Sequence, residues 1–172
     1  MKAPAIIAAP ASPNILSGAR GFVYSACTMR TSCELFSETE EKLLRRCALG
    51  RICRIDEHCY PHCIRVDYAY HEGRTIVGSR APRRWHRHLS TNPKIAFEID
   101  VYDRTEDGVF DFRGLMMKSE AHLAADHRQK DVSVELLRQR HPGAPFGESH
   151  VIVSLTPRER YGWGPWEKIH ED

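Results

Sequence analysis

The sequence lacks long apolar runs and a strong excess of charge of either sign. No stretch approaches the roughly 18 apolar residues that a membrane-spanning helix requires, and 25 basic against 23 acidic residues leave a formal charge of only +2. The amino end, MKAPAIIAAPASP, is broken by prolines before it becomes a signal-peptide core. We therefore expect a soluble, cytoplasmic protein without a membrane partner, and the net charge indicates no other partner.

Several motifs of large enzyme classes are also missing. The sequence contains no GxSxG, no P-loop and no GxGxxG, so it gives no support for an α/β hydrolase, a P-loop nucleotidase or a Rossmann dinucleotide-binding protein. Two acidic pairs, Asp56 with Glu57 and Glu106 with Asp107, fall in predicted turns. We interpret them as solvated carboxylates and not as a catalytic acid and base.

Cysteine is present, but without the context of a disulfide framework. Such frameworks belong mainly to short secreted chains, so most of these residues are interpreted as free thiols, with a bridge left open as an alternative. The six are Cys27, Cys33, Cys47, Cys53, Cys59 and Cys63. Two cysteines and two histidines crowd into HCYPHC, residues 58–63, but the second half of a zinc motif is missing. We predict no metal there and assign the segment a buried or turn role.

Composition divides the chain into three predicted parts. Residues 1–33 are rich in Ala, Pro, Ser and Gly and show no useful periodicity, which predicts a flexible amino-terminal arm. Residues 34–160 form the predicted folded domain, and residues 161–172 form an aromatic tail. Because large rings rarely stay exposed, the tail is predicted to dock back onto the domain through Tyr161, Trp163 and Trp166.

The first predicted element is a helix within FSETEEKLLRRCALG. Ser37 and Glu40 have the spacing of a capping box, and Gly50 suits a left-handed helix exit. The helical period predicts a buried stripe formed by Leu43, Leu44, Cys47 and Ala48.

After this helix the period changes to two, which is typical of strands. The clearest runs are RICRI, IRVDYAY, RTIVGS, KIAFEIDVY, VFDFRGLMMKSEAHLA, in which Gly114 invites a bulge or a bend, and HVIVSLTP. Turns are predicted at 71–73 and in DRTEDG, and a second helix at about 132–140. Consecutive strands joined by short turns favour an antiparallel barrel or sandwich, because closure removes exposed sheet edges.

One segment concentrates positive charge. Residues 80–94 carry five basic side chains and no acidic one. Arginine offers a planar fork of donors that matches phosphate oxygens, so this segment is a candidate phosphate site. A solvated basic loop and a nucleic-acid patch are the alternatives, and nucleic acid ranks last because only Trp85 supplies an aromatic ring within the loop.

The order of these features resembles the pyridoxamine 5′-phosphate oxidase-like family of FMN-binding split barrels, over about residues 38–123. The residues that carry the resemblance are Gly50, Arg51, Pro61, Ser79, Arg83, Arg84, Leu89, Asn92 and Pro93. The resemblance implies a mainly β (α+β) fold. The expected core is an antiparallel split β-barrel of about six strands, with a capping amino-terminal helix and one or two further helices.

The resemblance also implies a cofactor site. In the family, the flavin phosphate and ribityl chain contact the second strand, the end of the third strand and the basic loop. The matching candidates here are Arg65, Ser79, Arg80, Arg83, Arg84 and Trp85. Trp85 stands where the family usually has lysine, so the neighbouring arginines would supply the positive charge.

The function implied by the resemblance is an FMN-dependent oxidoreductase acting on an unknown small molecule. Family members are homodimers with cofactor sites built from both subunits, so a homodimer is the expected assembly. The alternatives are a deazaflavin coenzyme or haem in place of FMN, and a carrier, sensor or store without turnover. No catalytic acid or base is named by the sequence.

Overall fold

The structure is a computed structural model that describes residues 35–80, 84–104, 108 and 110–164. The predicted arm over 1–33, residues 105–107 of the predicted turn DRTEDG and the tail beyond Gly164 lie outside these residues. The described elements are α1 (Glu38–Arg46), β1 (Leu49–Ile55), β2 (Pro61–His71), β3 (Arg74–Arg80), α2 (Arg84–His88), β4 (Lys94–Arg104), β5 (Phe110–Leu123), α3 (His127–Arg140) and β6 (His150–Trp163).

The six strands close into one antiparallel barrel in the order β1-β2-β3-β6-β5-β4, with β4 paired to β1. The predicted mainly β fold with an amino-terminal helix and further helices is therefore confirmed. The tight turn between β2 and β3 is also confirmed, since Glu72 and Gly73 both have positive φ, of 48° and 74°, as a two-residue hairpin turn requires. None of the helices in the described part of the chain has the length and apolar character needed to cross a membrane.

Helix α1 begins as its sequence predicts. The Ser37 hydroxyl accepts a hydrogen bond from the Glu40 backbone N–H, and the Ser37 backbone N–H donates to the Glu40 carboxylate at 2.7 Å. Leu43 and Leu44 are buried, whereas Ala48, predicted to join that stripe, is exposed. Helix α1 ends at Arg46, so the helical stripe does not continue as far as Ala48.

The predicted role of Gly50 as the helix exit is wrong. Gly50 lies within β1, and a Cβ there would stand 2.3 Å from Cζ of Phe97. The Phe97 ring, which packs edge-to-face on Tyr68 with centroids 5.1 Å apart, occupies the space that a side chain at position 50 would need. Glycine at this position is therefore explained by core packing, which links β1 to β4.

Two further expectations about β5 and β6 are corrected. The register shift between these strands falls at Lys118 and Ser119 and not at Gly114. A Cβ at Gly114 would stand 2.2 Å from Cζ2 of Trp163, so this glycine makes room for an indole ring. Strand β6 continues beyond HVIVSLTP to Trp163, which brings two of the three tail aromatics into the barrel wall.

Helix α3 starts earlier than predicted, at His127, because Asp126 caps it. The Asp126 carboxylate accepts a hydrogen bond from the Gln129 backbone N–H at 2.7 Å, and an N-cap of this kind fixes where a helix begins. Val134 and Leu137 of α3 pack with Ile76 and Phe146 in a small second core outside the barrel. This packing places the loop after α3 beside β3.

Candidate functional site

The candidate site is a cavity at the place where β2 and β3 separate. The two strands pair only from Tyr68 opposite Val77 to His71 opposite Arg74. Before Tyr68, β2 pairs with β1, and after Val77, β3 pairs with β6. The first half of β2 and the last residues of β3 therefore diverge, and both line the cavity.

The cavity has a volume of about 800 Å³, within the range of small-molecule and cofactor sites. Its wall comes from β1 and the turn after it, β2, the end of β3, α2 and the loop between α3 and β6. The lining residues are Arg54, Asp56, Glu57, His62, Ile64, Arg65, Val66, Asp67, Gly78, Ser79, Arg80, Trp85, Ala144, Pro145, Phe146 and His150.

Four of the six predicted site residues meet at this cavity, namely Arg65, Ser79, Arg80 and Trp85. Arg83 lies outside the described residues, and Arg84 is the first residue of α2. Arg65 and Arg80 are exposed, and neither forms an ion pair or a side-chain hydrogen bond with any residue that the structure describes. Two guanidinium groups on opposite sides of the gap thus keep their donors for a ligand.

Trp85 departs from a typical phosphate-binding position. It is only 4% exposed and belongs to the main core together with Leu89. Its Nε1–H is buried and has no hydrogen-bond acceptor among the described residues. Trp85 therefore contributes an apolar wall with one unused donor and no positive charge.

Arg54 is a site residue that the sequence interpretation missed. It is 9% exposed, its buried Nε–H has no acceptor among the described residues, and its other contact is a weak one of 3.5 Å from Nη1 to the Ile55 carbonyl oxygen. Burying a charge without an ion pair is costly. The available signal was the period of two in RICRI, which places Arg54 on the inward face with Ile52.

Acidic and imidazole groups complete the lining. The Asp56 carboxylate accepts hydrogen bonds from the backbone N–H groups of Tyr60 and His58, both at 2.9 Å, and the Tyr60 contact in particular lowers its pKa. Asp56 is thus ionised at neutral pH and is engaged with its own turn. Glu57 contacts Nε2 of His88 in α2 at 2.9 Å, so α2 is attached to the cavity rim.

The loop after α3 forms the opposite wall. A Cβ at Gly78 would stand 2.6 Å from the Phe146 ring, so glycine in β3 lets this ring pack directly on the strand. His150 packs beside Phe146, with ring centroids 5.2 Å apart, and its Nδ1 accepts the Gly147 backbone N–H at 3.2 Å. In a neutral ring the proton then resides on Nε2, which makes that atom a donor.

The HCYPHC segment forms a turn followed by the start of β2. Cys59 has a φ of 64°, in the left-handed region, within the turn that Asp56 caps. His62 lines the cavity, while Cys63 is opposite Cys53 of β1. Within the described ranges, no three His, Cys, Asp or Glu residues are placed to hold one metal ion.

No protein-family model matches the sequence, and no curated protein is significantly similar to it. Solved structures, in contrast, share its fold. A FAD-binding protein from Mesorhizobium loti is similar at 17% identity with a TM-score of 0.61, over 76% of this chain and 96% of that chain.

Two further structures extend the likeness. A protein of the pyridoxinephosphate oxidase family from Clostridium acetobutylicum is 15% identical, with a TM-score of 0.57 over 74% of this chain and 87% of that chain. The flavocytochrome Anf3 from Azotobacter vinelandii is 16% identical, with a TM-score of 0.63 over 81% of this chain and 72% of that chain. The fold implied by the sequence resemblance, the split barrel of pyridoxamine 5′-phosphate oxidase-like proteins, is confirmed.

Proposed function

We propose that this chain binds FMN in the cavity between β2 and β3 and acts as a flavin-dependent oxidoreductase on a small molecule. The observation that carries the proposal is the set of three arginines at the cavity, since buried Arg54 and exposed Arg65 and Arg80 form no ion pair within the described residues. A dianionic phosphate is the ligand group that best matches several unpaired guanidinium donors. The fold shared with flavin-binding proteins supports the same assignment.

The lining residues fit the two ends of such a cofactor. In this proposal Arg65 and Arg80 hold the phosphate from opposite sides of the gap, and the Ser79 hydroxyl adds a neutral donor and acceptor. Arg54, which is buried on β1, adds a third positive charge to the cavity. Trp85 and Phe146 supply the apolar surface that an aromatic ring system requires.

When bound, the flavin would supply the hydride or electron transfer. The contribution of this chain is to bind, to orient and to exclude water. Trp85 and Phe146 are both buried and line the cavity, so a ring system packed against them would be removed from water. Asp56 already accepts two backbone hydrogen bonds, so it is engaged in structure and is not assigned as a proton acceptor.

The test is a titration of the purified full chain with FMN, followed by flavin absorbance and fluorescence. We expect saturable binding of one FMN per chain, and anaerobic bleaching of the bound flavin by a nicotinamide coenzyme. Saturable binding without bleaching by any reductant would indicate a carrier or store in place of an enzyme. The choice of cofactor would be overturned if the protein does not bind FMN but shows a Soret band with hemin or is saturated by a deazaflavin coenzyme.

The functional unit of this proposal is a homodimer. Tyr102 and Phe112 support it, because they are 62% and 39% exposed and their rings lie side by side with centroids 6.0 Å apart on β4 and β5. Exposed aromatic clusters are typical of protein interfaces. Light scattering after size-exclusion chromatography should give twice the mass of the 172-residue chain, whereas the mass of one chain at all concentrations would contradict the dimer.

A further inference from the structure

Two cysteines face each other across neighbouring strands beside the cavity. Cys53 of β1 and Cys63 of β2 are direct partners in the antiparallel register, and their Sγ atoms are 3.1 Å apart. Cys63 is exposed and Cys53 is partly buried. We propose that Cys53 and Cys63 form a reversible dithiol–disulfide site on the barrel wall, which small-molecule disulfides oxidise and thiols reduce.

The backbone geometry already suits a bond. Residues directly opposite in an antiparallel pair have Cα atoms about 4.5–5.5 Å apart, and disulfides span Cα separations of about 4.4–6.8 Å. The two sulfur atoms are about 1 Å further apart than the roughly 2.05 Å of an S–S bond, so rotation about the side-chain bonds closes the gap. The strands need not change register.

The reaction balances as thiol–disulfide exchange with a small-molecule disulfide such as oxidised glutathione. The exposed Cys63 thiolate attacks the glutathione disulfide, one glutathione thiol leaves, and a mixed disulfide forms on Cys63. Cys53 then attacks the Cys63 sulfur and displaces the second glutathione. Two protein thiols are oxidised, one glutathione disulfide is reduced to two thiols, and the two protein protons go to those thiols.

The environment favours this order of events. Burial, together with the Cys63 contact, raises the pKa of the Cys53 thiol to about 11. A thiol of high pKa is a poor first nucleophile, so the first attack falls to the exposed partner. Once Cys63 carries the mixed disulfide, the opposed position of Cys53 gives a high effective concentration for the closing step.

The bond would act next to the proposed binding site. In the register between β1 and β2, the pair next to Cys53 and Cys63 is Arg54 opposite His62. Both Arg54 and His62 line the cavity. Successive side chains alternate across a sheet, so the two thiols lie on the face opposite to Arg54 and His62. The site is independent of which ligand the cavity holds.

The experiment uses tryptic mapping of the reduced full chain after treatment with oxidised glutathione and blocking with N-ethylmaleimide. Trypsin cuts after Arg51, Arg54 and Arg65, so Cys53 lies in peptide 52–54 and Cys63 in peptide 55–65. We expect the two peptides to be joined and to separate again after dithiothreitol.

Peptide 55–65 also contains Cys59, so matched variants assign the bond. The linked peptide should persist in Cys59→Ser and be lost in Cys63→Ser and Cys53→Ser. A linkage that persists in Cys63→Ser but disappears in Cys59→Ser would overturn the proposal. So would a wild-type protein in which Cys63 stops at the glutathione mixed disulfide and Cys53 remains open to alkylation after unfolding.

Discussion

FMN affinity is expected to fall about a hundredfold when Arg65 and Arg80 are both replaced by alanine. A hydrogen bond to a charged group contributes about 1.5–3 kcal/mol, so the loss of two such contacts at the low end corresponds to about 3 kcal/mol, or a factor of about 100 in the dissociation constant. The measurement is an FMN titration of each protein by fluorescence. Both residues are exposed and unpaired within the described chain, so the variant should fold normally.

A parallel titration with riboflavin, which lacks the phosphate, tests whether the arginines contact that phosphate. If the arginines hold the phosphate, riboflavin affinity should be nearly the same in the wild type and in the double variant. Arg158→Ala is the matched control, because Arg158 is an exposed arginine on β6 that pairs with Glu120 and does not line the cavity. Equal losses for FMN and riboflavin, or an unchanged FMN affinity, would contradict the assignment of the phosphate to Arg65 and Arg80.

The second large effect is expected on stability. Arg160→Met should lower the free energy of unfolding by about 3 kcal/mol, because it removes one partner of a buried ion pair and leaves the other charge buried. Arg160 of β6 contacts the carboxylate of Glu40, and its Nε–H donates to the Leu35 carbonyl oxygen. Glu40 is only 3% exposed, so it cannot recover full hydration.

Thermal unfolding measures this effect. For a chain of this size, about 3 kcal/mol corresponds to a fall in Tm of roughly 6–12 °C. Lys118→Met is the control, since the Lys118 ion pair with Glu159 also involves β6, which it joins to β5, but both of its side chains are exposed. The control should leave Tm almost unchanged. Equal falls in Tm for the two variants would contradict the prediction, because they would mean that the burial of Glu40 does not increase the contribution of its ion pair to stability.

The ion pair between Arg160 and Glu40 also shows which contacts a local sequence pattern can predict and which it cannot. Ser37 and Glu40 are three residues apart, so the capping box could be predicted from the sequence and is found in the structure. The partner of the same carboxylate comes from β6, at the far end of the chain. Nothing near Glu40 in the sequence points to Arg160, because the contact depends on the closure of the barrel.

The cavity, like the contact between Arg160 and Glu40, depends on the tertiary structure. The basic segment and the resemblance predict cofactor contacts for Arg65, Ser79 and Arg80. The structure places these three residues around one cavity. Arg54 was missed because a period of two shows which residues share a face but not whether that face opens onto a cavity. The opening depends on where β2 leaves β3, at Tyr68 and Val77.

By itself, the sequence determined the capped helix, the alternation of the strands, the turn at Glu72 and Gly73 and the basic segment, because each depends on neighbours within a few residues. Only the tertiary structure decided that Gly50 accommodates Phe97, that Gly114 accommodates Trp163 and that Cys53 meets Cys63. These contacts depend on the register between strands, and a shift of one residue moves every side chain to the other face. Barrel closure fixes that register across the six strands.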